Sequence, residues 1–143
     1  MNVVKALKEK NKLTARINEL YAIAKAHNSI EQGNPRRYSV TQALNEANEL
    51  TRKLVDLKVK IHKANQPVYD KIFLMAELKG RVKQLKAMGC DEGKVTERYG
   101  SIQSVKEVEI TVADRDSLIK GLEAEIEELQ EQLDYHNATT EIN

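Results

Sequence analysis

Residues 119–133 read Ile119-Lys120-Gly121-Leu122-Glu123-Ala124-Glu125-Ile126-Glu127-Glu128-Leu129-Gln130-Glu131-Gln132-Leu133. The apolar residues Ile119, Leu122, Ile126, Leu129 and Leu133 stand three, four, three and four apart, and Glu and Gln dominate the positions between them. A 3,4 spacing places side chains in one seam along a helix, the pattern of helices that pack lengthwise on one another. The spacing predicts a helix over 114–136, capped by Asp114 or Asp116 and left by the tail at Asn137.

The same pattern recurs upstream. Leu50, Leu54, Leu57 and Ile61 are spaced four, three, four, which predicts a seam on a helix over 39–65 together with Ala43, Leu44 and Ala47. Ser39 reads as its N-cap, in a Ser-x-x-Gln box with Gln42. Pro67 suits a first helical turn and disfavours helix just before it, so a third helix is predicted over 67–88. Whether 39–88 forms one kinked helix or two is left open by the residues. Gly89 is read as a left-handed C-cap. The first helix occupies residues 1–27, with Val3, Leu7, Leu13, Ile17, Leu20 and Ala24 on one stripe. Gly33, Asn34 and Pro35 mark the loop after it.

Residues 94–112 differ in character. Val108, Ile110 and Val112 alternate with Glu109 and Thr111, the period of two expected of a half-buried strand. With Gly100-Ser101 as the turn, a β-hairpin over 94–112 is predicted. The expectation is one mainly α domain over 1–143, with a minor α+β element. It is a long antiparallel helical hairpin or bundle of about four helices, with the β-hairpin between the third and last. Leu57-x3-Ile61-x3-Asn65 and Leu129-x3-Leu133-x3-Asn137 echo one another, as two helix ends would.

Composition bounds the function. Of 143 residues, 31% are charged and 41% hydrophobic but only 4% aromatic, with one Phe and no Trp. The apolar content is therefore aliphatic and suited to packed helices. The net charge of +1 gives the whole chain no pull on nucleic acid or membranes, and neither is expected as a partner. The charge is nonetheless segregated. Residues 1–37 hold eight basic residues (5, 8, 10, 12, 16, 25, 36, 37) against three acidic ones (9, 19, 31). Residues 114–136 hold eight acidic residues (114, 116, 123, 125, 127, 128, 131, 134) against two basic ones (115, 120). Two such helices would attract each other, within a chain or between chains. The first residues, Met1 to Leu13, have neither the apolar core nor the cleavage site of a signal peptide, and a cytoplasmic protein is expected.

Catalytic and metal-binding patterns do not emerge. His27, His62 and His136 lack partners at metal-ligand spacing. The glutamates of 123–131 lack the Glu-x-x-His pairs of di-metal bundles. Cys90 is the lone cysteine and follows a helix C-terminus, where nothing activates a thiol. Ser39 is a cap rather than a nucleophile, and Gly89, Gly93 and Gly100 are turn glycines. No catalytic residue, cofactor, metal or small-molecule substrate is expected. Arg36, Arg37 and Tyr38, ahead of a helix N-terminus, form a candidate anion site for phosphate or carboxylate.

Three passages resemble the septicolysin-like family of small bacterial helical proteins. The first is Leu57-Lys-Val-Lys-Ile-His-Lys-Ala-Asn65 with the following Ala76-Glu-Leu-Lys-Gly-Arg-Val82. The second is Val105 to Val112 leading into Asp116. The third is Leu133-Asp-Tyr-His-Asn137-Ala-Thr-Thr-Glu-Ile142. Ala138 stands where the family has an aromatic residue, usually Trp. Together they cover most of the chain from about residue 40 onward. The resemblance implies a self-assembling helical hairpin with a small β-element and no established enzyme activity.

The leading expectation is a non-enzymatic structural or interaction protein. It would self-associate as a homo-oligomer through the seams of Leu50, Leu54, Leu57, Ile61, Ile119, Leu122, Ile126, Leu129 and Leu133 and through the hairpin, with another protein as a further partner. Three other readings compete: a membrane-active, pore-forming protein, a nucleic-acid-associated assembly using the basic first helix, and a prefoldin-like chaperone subunit.

Overall fold

The computed structural model of the protein describes residues 1–96 and 103–143. Its elements in chain order are α1 (Val3–His27), α2 (Val40–Asn65), a 3₁₀ turn (Gln66–Val68), α3 (Tyr69–Ala87), β1 (Gly93–Thr96), β2 (Gln103–Lys106) and α4 (Val112–Thr139). The protein is mainly helical, as its spacing requires. It divides into two compact units, one of Met1–Val68 with Tyr135–Asn143 and one of Tyr69–Asp134.

The first unit is built on an antiparallel α1–α2 pair. Asn2 caps α1, its side chain accepting from the Lys5 amide at 3.0 Å. Ser39 caps α2 as predicted, its Oγ accepting from the Gln42 amide at 3.2 Å. The return bond of a full capping box, from the Gln42 side chain to Ser39, is not made. Between the helices Leu20, 2% exposed, Ala43 and Ala47 form a buried cluster, with Ile23 and Leu50 packed against it. Two alanines one turn apart present a shallow surface, so the leucine of the other helix can seat close to the backbone.

The C-terminal residues complete this unit. Asn2 pairs with Glu141 in an antiparallel bridge. The Val3 amide donates to the Thr140 carbonyl and the Ile142 amide to the Met1 carbonyl, each at 3.0 Å. The Asn2 Nδ2 donates to the Ala138 carbonyl at 3.1 Å. Val3, within this pairing, is fully buried.

Pro67 does not break the chain into separate helices. The Gln66 amide bonds to the Lys63 carbonyl, three residues back rather than four. This tighter 3₁₀ coil spares the bond that the proline cannot donate, and helical backbone runs from Val40 to Ala87.

In the second unit, α3 and α4 run antiparallel. The expected left-handed cap at Gly89 is not formed, since among the described residues only Gly33 and Gly93 have positive φ. The end of α3 is held instead by Arg115 of α4, whose Nη1 donates to the Met88 carbonyl at 3.2 Å. A Lys86–Glu123 pair at 3.7 Å lies nearby.

The predicted strand over residues 105–112 requires correction. Gly93–Thr96 and Gln103–Lys106 form an antiparallel ladder in the register Gly93↔Lys106 to Thr96↔Gln103. The alternating residues 107–111 lie outside it, and Val112 belongs to α4. The reason is local. Thr111 Oγ1 accepts from the Asp114 amide at 3.1 Å, and Asp114 Oδ2 accepts from the Thr111 amide at 3.3 Å. This reciprocal box starts the helix at Val112, so neither Asp114 nor Asp116 is the cap. The helix also runs three residues past the predicted end, to Thr139. The Gly100-Ser101 turn lies outside the described residues.

Candidate functional site

The heptad positions divide by burial. Ile61, Ile119, Leu129 and Leu133 are buried, whereas Leu50, Leu54, Leu57, Leu122 and Ile126 are only half-buried. In the first unit, α1 and α2 pack tightly at the Leu20 end. Further along, an open groove of about 480 Å³ has Leu13, Leu57 and Ile142 in its lining, with Glu9, Lys53, Asp56 and Lys60 around them. Each half-buried leucine leaves apolar area in water at about 25 cal/mol per Å². A second groove, of about 600 Å³, lies between α3 and α4 in the other unit and includes Leu85, Leu118 and Leu122. Leu118 is 50% exposed.

The three residues of the candidate anion site are neighbours. Arg36, Arg37 and Tyr38 share a surface groove with Asn28 and Ser39. Arg36 is already committed, however. Its Nη1 donates to the His27 carbonyl at 2.7 Å and its Nη2 to the Asn28 carbonyl at 3.1 Å. These are carbonyls at the C-terminus of α1, which lack helical partners and carry the negative end of the helix dipole. The Tyr38 ring packs on His27, with centroids 4.7 Å apart. Two of the three side chains thus fasten the loop to the end of α1, leaving Arg37 exposed.

Arg16 of α1 is the main ionic link in the first unit. Its Nε and Nη2 donate to Glu46 of α2 at 3.3 and 3.4 Å, and its Nη1 donates to Glu19 at 3.2 Å. The bonds to Glu46, then to Glu19, hold the guanidinium's pKa above its ordinary value. Spacing on one helix suggests Arg16–Glu19, but Glu46 is found only once the antiparallel register is known.

No group of three His, Cys, Asp or Glu among the described residues could hold a metal ion. Cys90 is buried, its Sγ 3.8 Å from the Met88 carbonyl. His136 Nδ1 lies 3.1 Å from Thr140 Oγ1, while its Nε2 and the Asn65 Oδ1 are buried without a hydrogen-bond partner. No helix among the described residues is long and apolar enough to cross a membrane.

The described residues present half-covered leucine seams, two grooves with leucines in their linings, and segregated charge. Comparison with protein-family models, curated proteins and solved structures finds no match. The half-buried seams and the charged faces are thus the features on which a function can be argued.

Proposed function

We propose that the chain is a non-enzymatic structural or interaction protein that associates with itself through its heptad-patterned helices. One observation carries this reading. Leu54 and Leu57 continue the seam of Leu50 and Ile61 but stay half-buried, and Leu57 lines a groove with Leu13. Two helices cover only one side of such a seam, and a second copy offers the same leucines to cover the other. Among the described residues the short β1–β2 ladder has no third strand, and two strands alone are marginal in water. The resemblance to the septicolysin-like family, which implies self-assembly, is in keeping with this reading.

The test is the solution mass, by size exclusion with light scattering at two protein concentrations and two salt concentrations. A defined multiple of the 16.2 kDa chain is expected. A monomer throughout the micromolar range would refute self-association.

A further inference from the structure

We propose that the basic face of α1 in one copy docks on the acidic side of α4 in a second copy. This rests on the self-association reading and names its second contact. Lys5, Lys8 and Lys12 are exposed and spaced three and four apart, so they form one row opposite the apolar stripe of α1. On α4, Glu125, Glu128 and Glu131 are exposed. None of these six side chains is in an ion pair among the described residues. The neighbouring charges are already engaged, Arg16 with Glu46 and Glu19, and Glu123 with Lys86.

Each face is unfavourable by itself. Lys8 and Lys12 on α1, and Glu123–Glu127 and Glu127–Glu131 on α4, are like charges four apart, which weaken a helix. A nucleic acid would neutralise α1 and leave α4 unchanged. Cations would do the reverse. A second copy supplies both signs at once.

The acidic side also has the relief that lysines need. The α3–α4 groove places Leu85, Leu118 and Leu122 beside Glu125. Arg81 on its other rim is paired with Glu77 at 3.3 Å. Lysine stems can lie along leucines while their ammonium groups reach the glutamates. The contact joins two different surfaces, so repetition closes a ring or extends a filament. The apolar seams supply affinity, and the charges set orientation.

The experiment measures assembly mass by light scattering in about 0.1 M and about 1 M salt, where the Debye length falls from about 10 to about 3 Å. Three chains are compared with wild type: K5E/K8E/K12E, E125K/E128K/E131K, and the six-site chain carrying both sets. Helix content by circular dichroism serves as the folding control. The wild-type assembly is expected to weaken in high salt. Each three-site variant should associate about tenfold more weakly, as expected for three exposed pairs reversed. Mixing the two should restore assembly, because the new acidic α1 meets the new basic α4, and the six-site chain should assemble alone. If either variant fails to fold, K5Q/K8Q/K12Q replaces the first and E125Q/E128Q/E131Q the second, with a flatter salt dependence expected. A wild-type assembly indifferent to salt and to these substitutions overturns this inference alone, as does lost assembly that mixing and the six-site chain fail to restore. A wild type that is monomeric in both salts overturns the self-association reading itself.

Discussion

Exchanging the sizes of Leu20 and Ala47 tests the helix contact at the centre of the first unit. Leu20 is 2% exposed and Ala47 is 0% exposed, on facing helices. Leu20→Ala removes three carbons, about 0.8 kcal/mol each. The space left faces alanines, which cannot extend to fill it, so a cavity term raises the cost to about 3 kcal/mol. Ala47→Leu adds the same three carbons where there is no room, at about 1–3 kcal/mol. If the two side chains share one space, the double variant nearly restores the packed volume. Its cost should then fall at least about 1.5 kcal/mol short of the sum of the singles. The assay is urea unfolding followed by helical circular dichroism. Protein concentration is held fixed, because association adds stability as concentration rises. Strictly additive single effects would refute the close Leu20–Ala47 contact, and with it the proposed basis of the α1–α2 approach.

Three further outcomes follow from the helix ends. Thr111→Val should lower stability by about 1 kcal/mol through loss of the α4 box, and amide exchange should show faster opening at residues 112–115; protection unchanged there would count against the cap. Arg36→Met should free the His27 and Asn28 carbonyls and cost about 1 kcal/mol, read by urea unfolding, whereas Arg37→Met should fall within about 0.5 kcal/mol of wild type. Asn2→Ala removes both the α1 cap and the bond to Ala138, so it should cost about 1–2 kcal/mol; a neutral result in thermal unfolding would argue against the pairing of residues 1–3 with 138–142.

Much of the helical layout was legible because its signals are local. The 3,4 spacing of α4 and the Ser39 hydroxyl ahead of α2 each act within a turn or two, and the structure retains both. Val108–Val112 misled because alternation reports only a preference, and the Thr111–Asp114 box competes for the same residues. Gly89 suited a left-handed cap, but Arg115, 26 positions away, performs that task on Met88 instead. Arg36 suits an anion site with Arg37 and Tyr38 by sequence, since nothing in Asn34-Pro35-Arg36 shows that two carbonyls of α1 lie within reach. The leucine seam was visible, yet the buried cluster with Leu20 uses Ala43 and Ala47, since small residues govern how near two backbones can come. Pairing between Asn2 and Ala138 spans 136 positions and leaves no periodic trace at either end.

That last pairing has a consequence in time. The α1–α2 pair is complete in sequence by Val68, but the C-terminal residues bonded to Met1–Val3 begin at Ala138. At about 5–20 residues per second of synthesis, the interval before Thr140 is made is about 4–14 s. Until then the Val3 amide, which later donates to Thr140, has only water to bind. A side chain destined for full burial waits in solvent just as long. The ribosome thus delivers the first unit's opening turn early and its cover last, so the nascent hairpin passes through a stage with its most deeply buried valine exposed.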